Sequence, residues 1–306
     1  MCSSWYFFRY LDPHNEEAFA SPEALKTWMP VDFYLGGPEH VNGHLLYSRF
    51  FTKVLFDAGY IDFDEPFKVH RHQGLILGPD GRKMSKRWGN VINPSDVVDV
   101  YGADTMRMYE MFMGPLEDDK PWDENGVKGI RRFLEKVCKL SENVGNHEAE
   151  HKFLMHKTIA EVSDRVDRLS FNTAISAMMV YTNALVNHLN EVDGKISHED
   201  FEVLILLLAP FAPHLSEELW SQLGHSESIA FSSWPIADPK ELVEEKVKIA
   251  VQVNGKVRAT IVIASDAGED DVKSAAMADD NVKKWMDGNE PKKVIYVKGK
   301  IVNVVV

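Results

Sequence analysis

The spacing of apolar residues changes twice along the chain and divides it into three parts. Residues 1–102 mix short apolar runs with helical patterns, which is typical of an α/β segment. Residues 103–235 carry apolar residues almost wholly at helical spacing, and residues 245–306 alternate with a period of two around a helical stretch. The pattern predicts an α/β part, an all-α helix bundle and a small α+β domain.

In the first part, residues 31–35 read as a strand that ends at a glycine pair. Residues 73–77 read as a short buried strand, and the Gly-Pro-Asp-Gly sequence at 78–81 predicts a turn after it. A long helix is predicted from about residue 38 to residue 58. Its apolar stripe consists of Leu45, Leu46, Phe50, Val54 and Leu55.

The last 60 residues predict a module with the order ββααββ. Two strands, 247–253 and 256–263, flank Asn254-Gly255, a strong signal for a β-hairpin turn. One or two helices follow over residues 270–286, and two strands over residues 293–297 and 300–305 complete the module.

Composition excludes several classes of protein. The chain has 306 residues, 44% of them hydrophobic, which is enough for sizeable cores in two or three domains. No apolar run reaches the roughly 18 residues of a membrane span, and the N-terminus lacks the pattern of a signal peptide, so we expect a cytoplasmic protein. Cys2 and Cys138 are the only cysteines and are expected to be free thiols, and no metal site is predicted.

The charge is unevenly distributed. The net charge is −13, but residues 246–306 hold eleven Lys and Arg against eight Asp and Glu, a local charge of +3 that leaves −16 for the rest. Contact with a polyanion needs local positive potential. The C-terminal part is therefore the better candidate for such contact.

Two polar constellations suggest chemistry. The loop from Gly81 to Asn90 places Lys83 and Lys86 three residues apart after a strand, where two mobile ammonium groups can bind phosphates. The alternative is a solvated basic hairpin. The second constellation is Gly36-Gly37 before a helix start that offers free N–H groups to an anion. Polar side chains follow it at Glu39, His40 and His44, and here the alternative is a capped helix with incidental histidines.

Several strings resemble known sequences. Lys83-Met84-Ser85-Lys86 followed by Gly89-Asn90 resembles the "KMSKS" ATP signature of class I aminoacyl-tRNA synthetases, with Arg87 in place of the second serine. Within that class, the chain resembles the bacterial-type leucyl-tRNA synthetase family over nearly its whole length. The strings that carry this resemblance are residues 3–6, 29–32, 36–40, 44–50, 101–105 and 251–258, whereas residues 208–214 resemble a string shared across class I and support the class alone.

The resemblance implies a nucleotide-binding, Rossmann-like domain, of which residues 1–102 are half. It also implies roles for individual residues. Lys83, Met84, Ser85 and Lys86 match the ATP phosphate loop, in which Lys83 and Lys86 are the catalytic candidates, and Gln73-Gly74 matches backbone near adenine. The implied amino-acid and adenylate pocket comprises Ser3, Tyr6, Gly36, Gly37, Glu39, His40 and His44.

The implied reaction activates leucine with ATP and transfers the leucyl group to leucine-specific tRNA. Mg²⁺ is expected to bridge the ATP phosphates. Residues 103–235 match a tRNA-binding bundle of the anticodon-binding type, and residues 245–306 a domain that contacts the tRNA elbow. The residues expected to contact tRNA in that domain are Lys256, Arg258, Lys283, Lys284, Lys292, Lys293 and Lys298. A monomer is expected.

The family's other ATP signature, His-x-Gly-His, is absent from the sequence, and the editing domain has no counterpart. His40-Val41-Asn42-Gly43-His44 is one residue too long for that signature and lies in the pocket segment instead. We therefore expect a C-terminal part of a longer synthetase that is inactive alone. Two alternatives remain: a valyl or isoleucyl relative, and a non-catalytic module that binds tRNA or a protein partner.

Overall fold

The computed structural model describes residues 2–146, 148–149, 151–192, 194–242, 246–264, 267–297 and 299–306. Two compact units make up the chain. The first consists of Met1–Ala149 and Glu161–Pro235, and the second of Glu150–Ala160 and Ile236–Val306. No helix in the described ranges is both long and apolar enough to cross a bilayer.

The N-terminal 100 residues combine short helices with short parallel strand pairs. Their core is formed by Phe7, Phe8, Ala20, Leu25, Met29 and Ile61. β1 pairs in parallel with β2, with Tyr34 opposite His70 and Gly36 opposite His72. The elements are α1 (Tyr6–Tyr10), α2 (Pro22–Trp28), β1 (Tyr34–Gly36), α3 (Leu46–Asp57), β2 (His70–His72), β3 (Ile76–Leu77) and α4 (Pro94–Tyr101).

The predicted helix over residues 38–58 is not one α-helix, and of the five residues of its predicted apolar stripe, only Leu55 is packed against the core while three are exposed. A 3₁₀ turn at Pro38–His40 and a π-helical turn at Val41–Leu45 precede α3. Leu46 and Phe50 are 55% and 63% exposed, and Val54 is also exposed. The buried positions on α3 are instead two small hydroxyl residues, Ser48 and Thr52.

Hydrogen bonds made by the two hydroxyls explain why Ser48 and Thr52 can be the buried residues of α3. The Ser48 hydroxyl donates to the His44 carbonyl at 2.8 Å, and the Thr52 hydroxyl donates to the Ser48 carbonyl at 2.8 Å. Each polar side chain is thus satisfied within the helix and can be buried without loss. Small side chains also let the helix approach the body of the unit closely, and Leu46, Phe50 and Val54 are left exposed while Leu55 packs against the core.

The predicted strand at residues 73–77 is shorter than expected, since only Ile76–Leu77 forms β3, and both residues are half-buried. The backbone before it is held by the loop at residues 116–119. Gly74 N–H donates to the Leu116 carbonyl at 2.9 Å, and Leu75 N–H donates to the Asp119 carboxylate at 2.6 Å. A Cβ on Gly74 would overlap the Asp118 backbone, so this close approach requires glycine.

The described residues of the helical middle part form six α-helices. Its core includes Met108, Ile130, Tyr181, Phe201 and Phe211, all nearly inaccessible to solvent. The helices are α5 (Ala103–Phe112), α6 (Glu124–Ser141), α7 (Lys152–Asp167), α8 (Phe171–Val192), α9 (His198–Leu208) and α10 (Pro213–Gln222). Short strands β4 (Lys120–Pro121), β5 (Val144–Gly145) and β6 (Ile196–Ser197) connect them, and β4 pairs in parallel with β3.

The predicted ββααββ order of the tail is confirmed. Its elements are β7 (Lys246–Val253), β8 (Lys256–Ala264), α11 (Glu269–Ala278), α12 (Asp280–Met286), β9 (Lys293–Val297) and β10 (Ile301–Val305). The sheet order is β8-β7-β10-β9, in which β10 runs parallel to β7 and antiparallel to β9. Positive φ angles at Asn254 (50°) and Gly255 (79°) form the hairpin turn that this dipeptide favours.

Candidate active site

A pocket of about 480 Å³ opens between the N-terminal segment, β1 and the turn that precedes α3. It brings together all seven residues predicted for the amino-acid and adenylate pocket. Gln73, predicted for the adenine region, lines the same pocket. The lining residues are Ser3, Tyr6, Tyr34, Leu35, Gly36, Gly37, Glu39, His40, His44, Leu45, His70 and Gln73.

A chain of hydrogen bonds crosses the pocket. The Tyr6 hydroxyl lies 2.9 Å from the Tyr34 hydroxyl, which lies 2.6 Å from Nε2 of His44. The Tyr34 ring stacks on Phe67, with ring centroids 3.9 Å apart and ring planes 7° apart. Stacking and hydrogen bonding hold the Tyr34 ring at both its face and its hydroxyl.

Two groups of the network, Tyr34 and His44, are shifted toward their neutral forms. Burial, reinforced by the Tyr6 hydroxyl, raises the pKa of Tyr34, which therefore stays protonated. Burial, and then the charge of neighbouring His40, lower the pKa of His44 below its ordinary value of 6.5. In the tautomer of neutral His44 that carries its proton on Nδ1, Nε2 can accept a hydrogen bond from the Tyr34 hydroxyl.

This charge state can be tested by titration. We expect the His44 imidazole to titrate below pH 6.5 in the folded chain. Because the folded state then binds fewer protons than the unfolded state, His44 contributes stability above pH 6.5 that is lost as the pH falls through the folded-state pKa. Imidazole NMR shifts measured against pH report the midpoint.

Two variants give this titration a control. His40→Ala removes the neighbouring ring, 6.3 Å away between centroids, and should raise the His44 midpoint. His72→Ala changes an exposed histidine that is not among the lining residues and should leave the midpoint unchanged. A midpoint at or above 6.5 in the unmodified chain would contradict the neutral network.

Glu39 presents the acidic group of the pocket. Its carboxylate folds back over Gly37, where a Cβ would come within 2.7 Å of Oε1. The carboxylate is about half exposed and lies 4.0 Å from Nε2 of His40, beyond hydrogen-bond range. It is therefore accessible to a cationic group of a ligand.

Sequence reasoning missed four pocket residues, the polar Tyr34 and His70 and the apolar Leu35 and Leu45. Side chains two apart on a strand share a face, so Tyr34 follows from its position two residues before Gly36. His70 follows only from its register opposite Tyr34. That pairing joins residues 36 positions apart, and no local signal in the sequence predicts it.

A second pocket, of about 400 Å³, lies beside the first. Gln73 and Gly74, the two residues predicted near adenine, both line it, and Gln73 is shared with the first pocket. Lys120 and the apolar residues Leu75, Ile76, Met111, Leu116 and Phe171 form part of its wall. The two cavities thus meet at Gln73.

The loop from Gly81 to Asn90, called the lysine loop below, is held in its conformation by hydrogen bonds of the Asn90 side chain. The Asn90 side chain accepts from Ser85 N–H at 2.9 Å and donates to the Asp80 carboxylate at 3.0 Å. The predicted turn is present, since Gly81 N–H donates to the Gly78 carbonyl at 2.9 Å and Gly81 has φ +72°. Through a bridge between Leu77 and Lys83, the loop forms a small hairpin with β3.

The four residues of the loop signature differ in exposure. Met84 and Ser85 are half-buried, and Lys83 and Lys86 are exposed. The two neighbouring arginines contact an aromatic ring, since the guanidinium groups of Arg82 and Arg87 each lie 5.2 Å from the Trp88 ring centroid. None of the residues from Lys83 to Lys86 lines either of the two pockets.

The basic residues predicted to contact tRNA are spread over the tail module. Lys256 and Arg258 lie on β8 at one edge of the sheet, and Lys283 and Lys284 on α12. Lys292 and Lys293 lie at the opposite edge, just before and at the start of β9. Lys298 lies outside the described residues. In the described ranges, no group of three or more His, Cys, Asp or Glu side chains is placed to hold a metal ion.

Two family models match the chain. The model described as "tRNA synthetases class I (I, L, M and V)" matches residues 12–123. The model described as "Anticodon-binding domain of tRNA ligase" matches residues 153–273. The first match covers the pocket turn and the lysine loop.

Curated relatives match almost the entire chain. The leucine–tRNA ligase of Bdellovibrio bacteriovorus is 49% identical over 312 residues, covering 99% of this chain and 39% of the relative. That of Leptospira biflexa is 47% identical over 314 residues, covering 99% and 36%. The chain thus spans about two fifths of the length of these relatives.

Solved structures agree. A ternary complex of Agrobacterium radiobacter K84 agnB2 LeuRS, tRNA and LeuAMS matches with a TM-score of 0.78 and 36% identity over 99% of this chain and 42% of that one. Methionyl-tRNA synthetase of Mycobacterium tuberculosis, bound by methionyl-adenylate, matches with a TM-score of 0.50 and 17% identity over 67% of this chain, a similarity of fold alone. The chain belongs to the leucine–tRNA ligase family of class I tRNA synthetases.

Proposed function

We propose that the chain carries the amino-acid and adenylate pocket, the phosphate loop and tRNA-docking elements of a leucine–tRNA ligase. The observation that carries the proposal is the pocket in which the Tyr6–Tyr34–His44 network meets Glu39 and Gln73. Seven residues expected from sequence to surround the adenylate converge there from two separate segments, and Gln73 joins them from a third. A capped helix with incidental histidines would not require this convergence.

The pocket walls suit leucine. Leu35, Leu45 and the Tyr6 ring offer apolar surface to an isobutyl side chain. The accessible Glu39 carboxylate would pair with the leucine ammonium group, which would leave the leucine carboxylate free to react. The neutral network adds no charge that would compete for either group.

In the first step, the leucine carboxylate attacks the α-phosphorus of ATP, and the bond to the β-phosphate oxygen breaks to release pyrophosphate. In the second, a 3′-terminal hydroxyl of tRNA attacks the leucyl carbonyl carbon and AMP leaves. Lys83 and Lys86 would stabilise charge on the departing pyrophosphate, and Gln73-Gly74 would lie near adenine. Mg²⁺ usually binds through substrate phosphates and would neutralise part of that charge.

For tRNA, we assign docking to the bundle and, above all, to the tail. On α6, the guanidinium of Arg131 is already engaged with Glu135 at 2.9 Å and with the Tyr101 carbonyl at 3.2 Å. The net positive charge of residues 246–306 favours the tail for phosphate contact. Recognition there would depend on shape and phosphates rather than on base sequence.

A chimera tests the proposal. The chain would replace the matching segment of the Bdellovibrio ligase, with which it is 49% identical, and pyrophosphate exchange into ATP would be measured with leucine, isoleucine and valine. We expect exchange with leucine to exceed exchange with the other two by at least tenfold. A folded chimera that prefers valine or isoleucine, or that shows no exchange, would contradict the proposal.

The 306-residue chain alone should behave differently. It lacks any His-x-Gly-His sequence, and it spans about two fifths of its relatives. We therefore expect no ATP–pyrophosphate exchange above background from the purified chain at concentrations at which the chimera is active. Full exchange activity from the chain alone would refute this expectation.

A further inference from the structure

Arg258 is the extra residue of a β-bulge in the tail hairpin. On the paired strands β7 and β8, Val251 faces Ala259 and the next residue, Gln252, faces Val257. Arg258 therefore has no partner across the ladder. A bulge breaks the alternation of side chains and redirects the extra residue, and bulges are frequent beside functional sites.

The bulge directs Arg258 onto Trp285 of α12. The guanidinium carbon lies 3.4 Å from the Trp285 ring centroid, well inside the range of about 6 Å for a cation–π contact. Trp285 nevertheless remains 50% exposed, whereas its helix neighbours Val282 and Met286 are buried in the core of the module. The guanidinium thus lies against the ring, and half of the Trp285 surface is still accessible to a ligand.

Basic residues flank both members of this pair in the sequence. Nε of Arg258 is buried and has no hydrogen-bond partner in the described part of the chain. Exposed lysines lie beside both members of the pair in sequence, Lys256 on β8 and Lys283 and Lys284 on α12. Of these, Lys283 is the one with a described acidic partner, Asp280 at 3.7 Å. A half-exposed indole beside incompletely neutralised cations matches the chemistry of a nucleic-acid surface.

We propose that Trp285, backed by Arg258, is a stacking platform for an exposed nucleobase of the tRNA, with Lys256 and Lys284 contacting the adjacent phosphates. The inference rests on the proposed tRNA-binding function and assigns a specific contact within it. An aromatic face accepts any base, so the platform would add affinity without reading sequence. Arg258 would hold the ring in place and add positive potential behind it.

The test is a titration of leucine-specific tRNA transcript, labelled for fluorescence anisotropy, with the full 306-residue chain over a salt series. Trp285→Ala should weaken binding about tenfold or more, with an unchanged dependence on salt, because a stacking contact releases no counterions. Trp285→Phe keeps a ring and should bind within about threefold of the unmodified chain. Lys284→Ala should lower the salt slope by about one.

Val262→Ala is the matched control. Val262 is an exposed apolar residue on β8, 58% accessible, and its loss should not change affinity. If the unmodified chain binds tRNA and Trp285→Ala binds it with the same affinity as Val262→Ala, the proposal of a stacking platform is wrong and the proposal of tRNA binding stands. If the unmodified chain fails to bind at low salt, both are wrong. Circular dichroism of each variant confirms that the module remains folded.

Discussion

Replacing Lys86 with alanine is expected to reduce pyrophosphate exchange by the chimera about 100- to 1,000-fold. Lys86 is exposed at the tip of a loop whose backbone is fixed by Asn90 and Asp80, so its ammonium group is free to follow a ligand. An ammonium group aimed at developing phosphate charge stabilises the transition state more than the bound substrate. The loss should therefore appear in kcat, with a smaller change in the KM for ATP.

Arg87→Ala is the matched control for Lys86. It removes an adjacent cation that lies over the Trp88 ring, 5.2 Å from its centroid, and should change exchange less than fivefold. Exchange is measured at saturating leucine while ATP is varied. Equal losses of exchange activity in both variants would mean that the loop contributes only general positive potential. Unchanged exchange activity in Lys86→Ala would mean that Lys86 is not a catalytic residue.

Replacing Asp104 with alanine is expected to lower the free energy of unfolding by about 3 kcal/mol. Asp104 is nearly buried on α5 and accepts from Leu215 N–H at 2.7 Å and from His214 N–H at 3.4 Å, both in the first turn of α10. It also lies 2.7 Å from Nδ1 of His214. The N-cap residue of α10 is Ala212, which has no side-chain acceptor, so Asp104 supplies the cap from another helix.

Urea unfolding followed by far-ultraviolet circular dichroism reports this loss as a lower midpoint at constant slope. Asp104→Asn keeps an acceptor but loses the charge that favours a helix N-terminus, and it should cost less than alanine. Glu135→Ala breaks an exposed ion pair with Arg131 and should cost less than about 1 kcal/mol. An Asp104→Ala loss no larger than that of Glu135→Ala would contradict the capping role.

Elements with local causes were predicted well. The tail hairpin follows from alternation and from Asn254-Gly255, whose dihedral angles only a few residue types adopt readily. The start of α2 follows from Ser21, whose hydroxyl accepts from Ala24 N–H at 3.3 Å, and from Pro22. In each case the determining interaction lies within four residues.

Elements with distant causes were predicted poorly. The apolar stripe of the helix over residues 38–58 indicates a face without saying what covers it, and the structure packs Leu55 against the core but leaves Leu46, Phe50 and Val54 exposed. The strand at residues 73–77 was overextended because residues 116–119 bind its first part. The same holds for the pocket. The alternation of side chains along β1 predicts Tyr34 as a pocket residue, whereas no local pattern predicts His70.

The sequence by itself determined the family, the residues of the pocket and phosphate loop as candidates, and the order of elements in the tail. These depend on residue type and short spacing, which a linear string contains in full. Only the tertiary structure decided that Tyr34 links Tyr6 to His44, that Asp104 caps α10 from 110 residues away, and that a bulge places Arg258 on Trp285. Such contacts arise because burial and hydrogen bonding are satisfied by whichever groups the folded chain brings together, whatever their separation in sequence.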